Sequence, residues 1–188
     1  MSTKKTIITE PSFDYLWEEL AKNNPLIQKW EVRFENFKDW WPNQFINDIR
    51  DIIDHKEVTY IGDFSQSNLF VPHYTLMSAI LGYNANKLRI IMPFFPGQMD
   101  RELHYGDVAT AKYLAAIISG LPSWRIWKTS LHIFDIHALQ EKFFFDNNRI
   151  NVEMHTLMHA IKDKIDKTCT IVFPDDWAKK RFAQYFEE

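Results

Sequence analysis

Apolar and polar residues change rhythm along this chain in a way that marks out its elements. Val58 to Ile61, Lys87 to Met92, Ser130 to Phe134 and Thr168 to Phe173 are short apolar runs rich in β-branched and large residues, the signature of buried strands. Between them lie longer stretches with helical spacing. Phe70 to Tyr83 places Leu76, Ala79 and Ile80 on one face, a second helix opens where Asp107 can cap it and runs to Ser119, and His155 to Lys167 and Asp175 to Phe186 read as two more. Ile150 to Val152 is one further brief strand. Strands alternating with helices of this length predict βαβ units, hence an α/β fold of three layers, α/β/α, around a mostly parallel sheet.

The first quarter of the chain is less regular. Met1 to Glu10 reads as a loose leader, and Ser12 can cap a helix to Asn23 with Phe13, Leu16, Trp17 and Leu20 on one face. Trp30 to Phe37 alternates with Val32 and Phe34 on one side, as a half-exposed strand does. Asp39-Trp40-Trp41-Pro42-Asn43 is a turn, and Gln44 to Arg50 returns as a second strand. Such an edge hairpin suits a contact with another copy, while the same two tryptophans also suit a cover over the core. The expected division is a leader and helix over 1–28 and one domain over 29–188.

Composition narrows the classes. Aromatics make up 15% of the 188 residues, with seven Trp and fifteen Phe, so a sizeable core is within reach. A net charge of −3 gives no footprint for nucleic acid or an anionic membrane, and no apolar run approaches the length of a membrane span. The single cysteine, Cys169, excludes an internal disulfide framework and a thiolate metal site; in an apolar strand it reads as inert packing. A soluble protein of a reducing, cytoplasmic compartment is the default. Five glycines form neither G-x-G-x-x-G nor a P-loop, against dinucleotide oxidoreductases and Walker-type NTPases.

Chemistry gathers at the predicted strand ends: Asp63 and Ser65, then Gln98, Asp100 and Arg101, then Asp135 and His137, then Asp175 and Asp176. Carboxyl ends of parallel strands share one edge, where ligands of open α/β sheets collect. Several acids repel one another unless a cation bridges them, and Asp with His suits Mg²⁺ carrying phosphate oxygens. The same residues also read as helix caps, with His137 merely packed or solvated. His55, His73, His104, His132, His155 and His159 read as surface or core residues; His155 and His159 have helical i, i+4 spacing but no third ligand in sequence.

Five segments carry a resemblance: Met92-Pro-Phe-Phe-Pro96, Gly106-Asp-Val-Ala-Thr-Ala-Lys112, Asp135-Ile-His-Ala-Leu-Gln-Glu-Lys-Phe-Phe-Phe145, Phe173-Pro-Asp-Asp176 and the hairpin Phe37 to Asn47. Together, over Lys29 to Phe182, they resemble ribose-phosphate diphosphokinases (phosphoribosyl pyrophosphate synthetases) of the class II, phosphate-independent branch. The resemblance implies a phosphoribosyltransferase-like fold. It also implies transfer of the β,γ-diphosphoryl group of ATP to ribose 5-phosphate with Mg²⁺, in a homo-oligomer.

Carried onto this chain, the resemblance makes Phe37, Asp39, Gln98, Asp100 and Arg101 contacts of ATP. His137, Asp135 and Asp175 become the metal-side groups, and Asp175 and Asp176 the groups near ribose 5-phosphate. The family's flexible catalytic loop and its ribose-phosphate loop belong to a second domain and are not in this sequence. No catalytic residue is therefore assigned on this chain. Trp177 also stands where the family has a glycine, which crowds a tight phosphate-approaching turn. The expectation is one domain of a larger or split synthetase, in a homo-oligomer or with a partner that carries the second domain. The alternative is a non-catalytic nucleotide-binding or regulatory relative.

Overall fold

The computed structural model describes residues 5–96, 100–122, 127–166 and 168–186. By internal contacts they fall into two compact units, 1–154 and 155–188, taken here in turn.

The first unit is built on a six-stranded sheet. Its strands begin with β1 (Lys5–Thr9), followed by helix α1 (Asp14–Asn23) and β2 (Ile27–Trp30). The hairpin strands β3 (Val32–Asn36) and β4 (Pro42–Ile46) and a short helix α2 (Ile49–Ile53) precede β5 (Glu57–Ile61). Then come α3 (Ser67–Gly82), β6 (Lys87–Met92), α4 (Thr110–Ser119), β7 (Thr129–Phe134) and β8 (Ile150–His155). The sheet order is β2-β1-β5-β6-β7-β8, while β3 and β4 form a separate antiparallel pair. Every pairing from β2 to β7 is parallel.

Why the middle strands lie there follows from their side chains. Leu88, Ile90 and Met92 of β6 are fully buried on one face, and Lys87, Arg89 and Ile91 are half-buried on the other. In β7, Leu131 and Ile133 are buried, and Ser130 and Thr129 are covered as well. Strands buried on both faces are what helices flanking a parallel sheet produce. After β5 the chain turns at Gly62, where an added Cβ would come within 3.0 Å of the Phe64 and Tyr60 rings. A side chain here would press those two rings aside by a few tenths of an ångström.

Several expectations need correction. The leader is no leader: Lys-Thr-Ile-Ile-Thr forms β1, with Thr6 to Thr9 buried between β2 and β5. β1 therefore joins residues 5–9 to the sheet. Ser12 lies in a 3₁₀ turn, Pro11–Phe13, that Glu10 caps, and α1 starts only at Asp14. The second hairpin strand is Pro42–Ile46; Ile49, Ile52 and Ile53 follow at helical spacing and bury two isoleucines from α2. Asp107 does not cap α4, whose N-cap is Ala109; its carboxylate accepts the His104 N–H at 2.8 Å instead.

In the second unit, α5 (Met158–Lys162) and α6 (Asp176–Phe182) are followed by a 3₁₀ turn at Ala183–Tyr185. The run Thr168 to Phe173 is not a strand, and Cys169 is exposed rather than packed. The physical reason is local. The Asp166 carboxylate binds both the N–H and the hydroxyl of Thr168 at 2.9 Å, an Asx turn that competes with extended pairing. These bonds to Thr168 hold the Asp166 carboxyl below its ordinary range. His155 ends β8 while His159 sits on α5, so the two are not an i, i+4 pair on one helix. Inside this unit His159 meets Tyr185 edge-on at 5.0 Å.

Candidate functional site

At the carboxyl end of β7, residue 135 leaves strand geometry with φ = 44°, a left-handed conformation that aspartate tolerates better than most residues. The turn makes the next residues alternate sharply: Ile136 is buried, His137 is exposed and Ala138 is buried. His137 is thus held at the surface by two apolar neighbours that hold the chain down. A 3₁₀ segment, Leu139–Phe144, follows. It is fastened by Glu141, whose fully buried carboxylate accepts the Ala138 N–H at 3.1 Å. Asp135 does not cap this segment, whose N-cap is Ala138.

Two contacts tie the loop after β6 to this segment. The Phe95 and Phe145 rings lie 5.8 Å apart, and Gln140 donates to the Asp100 carboxylate at 2.9 Å. Asp100 is largely buried while Arg101 beside it is open, their charged atoms 3.9 Å apart. The structure therefore brings Asp100 and Arg101 to the same neighbourhood as the D-x-H segment. Gln98 lies outside the described residues. The sequence reading missed Gln140 and Glu141. The available signal was Glu141 three residues after Ala138, the spacing at which a carboxylate reaches back to a backbone N–H.

The other predicted residues lie elsewhere. Phe37 and Asp39 are at the hairpin tip, where the Phe37 N–H meets the Trp41 carbonyl at 2.8 Å and Asp39 accepts the Trp41 N–H at 3.3 Å. Trp40 and Trp41 are 84% and 62% exposed, so they do not cover the core. At the end of β5, Asp63 accepts the Ser65 N–H at 2.8 Å. In the second unit Asp175 caps α6, accepting the Ala178 N–H at 2.7 Å, and Asp176 and Trp177 occupy that helix's first turn.

After β7 stand one carboxylate on a left-handed turn and one exposed imidazole, both side-chain types that can ligate a divalent cation. Mg²⁺ in particular keeps its waters and takes one or two protein ligands plus phosphate oxygens. Among the described residues of the first unit, a further pair is His132 of β7 and Glu153 of β8, 3.7 Å apart.

Comparison with known proteins bears on the family and the fold. No family model matches the chain. Ribose-phosphate pyrophosphokinase 3, mitochondrial, of Spinacia oleracea is 34% identical, over 99% of this chain and 47% of that protein. Ribose-phosphate pyrophosphokinase 4 of Oryza sativa subsp. japonica is also 34% identical, over 87% of this chain and 52% of its own length. This chain is a relative of the ribose-phosphate pyrophosphokinases. It spans about half the length of the curated relatives it matches. A crystal structure of phosphoribosylpyrophosphate synthetase from Mycobacterium smegmatis superposes with a TM-score of 0.72 over 88% of this chain and 53% of that one. At 12% identity that likeness concerns the fold.

Proposed function

We propose that this pyrophosphokinase relative is the nucleotide-binding half of a class II-like synthetase. It holds Mg·ATP at the carboxyl ends of β6 and β7 for transfer of the diphosphoryl group to ribose 5-phosphate. The observation that carries the reading is the Asp100–Gln140 hydrogen bond, which joins the β6 loop to the segment bearing Asp135 and His137. Around it stand an exposed guanidinium, Arg101, an exposed imidazole, His137, and the acids Asp100 and Asp135. A cation with triphosphate oxygens meets its donors there, and Arg101 supplies charge for a phosphate. Mg²⁺, when bound, supplies charge neutralisation on the phosphates; the residues of this chain bind and orient it.

Asp175 and Asp176 are assigned to the ribose 5-phosphate and metal side. Phe37 and Asp39 are assigned to the nucleotide of a neighbouring copy in a homo-oligomer. A compartment of the cytoplasmic kind agrees with the lone exposed thiol of Cys169.

Diphosphoryl transfer rests on cations and donors placed around the moving group, and loss of one such group typically costs ~10² or more in rate. The 188-residue chain alone is therefore expected to bind ATP without making phosphoribosyl pyrophosphate at an enzymatic rate. The test is AMP release from ATP with ribose 5-phosphate and Mg²⁺. The isolated chain should give no more than background; robust AMP release would show that it needs no second half.

A further inference from the structure

The hairpin is anchored along part of its length only. Val32 and Ile46 pair at its root, with Ile46 buried in the core, and two residues further out Phe34 stands opposite Gln44. Phe34 meets the His73 ring of α3 edge-on at 6.3 Å. Gln44 does more: its Nε2 donates to the Pro72 carbonyl at 2.9 Å, and its Oε1 accepts from the Thr75 hydroxyl at 2.9 Å. The one hydroxyl hydrogen of Thr75 has other choices, the carbonyls of Val71 and Pro72 at 3.0 Å. Beyond this pair, among the described residues, Glu35 to Asn43 makes strand and turn bonds with itself and one ion pair, Glu35 with Arg33 of the same hairpin. A two-stranded ribbon by itself is marginal in water.

Pro72 lies inside α3 and has no N–H for the preceding turn, so the helix is locally weakened where the hairpin attaches. Below it, Tyr60 and His73 share a buried hydrogen bond and the Phe64 ring lies 4.6 Å from His73, which makes that part of α3 a firm seat. A carboxamide carries its donor and its acceptor on two separate atoms, so it can donate to a carbonyl and accept from a hydroxyl at the same time. At this position Gln44 has the reach for both.

We infer that Gln44, clamped on Pro72 and Thr75, is the positioning residue for the hairpin tip. It fixes the angle at which Phe37, Asp39, Trp40 and Trp41 leave the domain and therefore where they meet a second copy. What the tip does there rests on the proposed function; the clamp itself does not.

The test compares Gln44→Met, which keeps length and volume but loses both bonds, with Thr75→Val and the parent. Amide exchange is read over Asn36 to Ile46 and over β5 and β6. The indole N–H resonances of Trp40 and Trp41 are followed in a nitrogen–proton spectrum. Gln44→Met should raise hairpin exchange about three- to tenfold. It should shift both tip indoles, leave Trp17 and the central strands as in the parent, and reduce self-association in sedimentation. Thr75→Val should act the same way more weakly. Parent-like exchange and indole resonances in Gln44→Met would overturn the inference, as would equal loosening of β5 and β6. Neither readout needs ATP, so a parent that fails to bind Mg·ATP would sink the proposed function and leave this result standing on its own.

Discussion

The central strands and the hairpin are made of similar residues used in opposite ways. In β6 and β7 the large side chains Leu88, Ile90, Met92, Leu131 and Ile133 are sealed from water. In and around the β3–β4 hairpin, Phe37, Phe45, Trp40 and Trp41 are each more than half exposed. Burial of apolar area stabilises the first set at about 25 cal/mol per Å². The second set leaves that stabilisation unrealised in the single chain, and exposed aromatics on a thin ribbon are where the proposed contact with a second copy would sit. Apolar content alone does not tell a core residue from an exposed one; the number of neighbouring strands and the helices that cover them do.

Substitutions can break this contrast, starting with the largest effect. Leu131→Ala in the middle of β7 should cost about 2–5 kcal/mol, the range for truncating a fully buried leucine. Urea unfolding reads it, and a loss below about 1 kcal/mol would mean that β7 is not packed as described. Ser119→Ala comes next. Its buried hydroxyl donates to the Ala115 carbonyl at 2.7 Å and accepts the Asp146 N–H at 3.0 Å, joining α4 to the segment before β8. Removing it leaves that N–H short of a partner and should cost about 1–3 kcal/mol in the same assay.

The hairpin side of the contrast predicts little on stability and much on assembly. Replacing Trp40 and Trp41 together by Ser should change unfolding free energy by only about 0.5 kcal/mol. In sedimentation at micromolar concentration the same variant should shift toward monomer. A double variant that associates like the parent would return the two tryptophans to the status of incidental surface.

The smallest effect is a pH slope. Burial holds the His73 imidazole below its ordinary 6.5, with the Tyr60 hydroxyl on Nδ1. As pH falls through about 6.5 the unfolded chain takes up a proton that the native chain still refuses, so stability declines toward acid and is unaffected well above that value. His73→Gln should flatten the decline of urea midpoints between about pH 7 and about pH 5. An unchanged slope would assign the decline to other groups. Burial likewise pushes the Tyr60 hydroxyl well above its ordinary range, so it stays protonated throughout.

Much of this was legible in the sequence, and the failures have local causes. β6 was read to the residue, and β5, β7 and α3 to within a few, because their apolar runs are long or strictly periodic. The mostly parallel α/β sheet followed from their order, while β1 and β2, which complete its six strands, did not. β1 was missed because Lys4, Lys5 and two threonines dilute its pattern, although Thr6 and Thr9 are buried all the same. The Thr6 hydroxyl meets the Ile52 carbonyl at 3.3 Å and the Thr9 hydroxyl meets Asp14 at 2.7 Å. Thr168 to Phe173 misled in the other direction, its β-formers overruled by the Asx turn at Asp166. For the candidate site, Asp135, His137 and Asp100 were legible as strand-end polar residues. The Glu141 bond had a spacing signal that was not used, whereas the Gln140–Asp100 bond joins residues 40 apart and the left-handed turn falls at an aspartate, and no local pattern announces either.

The central claim is that the D-x-H turn of β7 is a metal-nucleotide site, and a calorimetric titration of Mg·ATP into the chain and its His137→Ala variant tests it most directly. The parent should give saturable binding. The variant should bind about tenfold more weakly or worse, the ~1.4 kcal/mol of one ligand contact, with an unfolding midpoint like the parent's because His137 is exposed. Equal binding by both proteins, or none by the parent, would contradict the account.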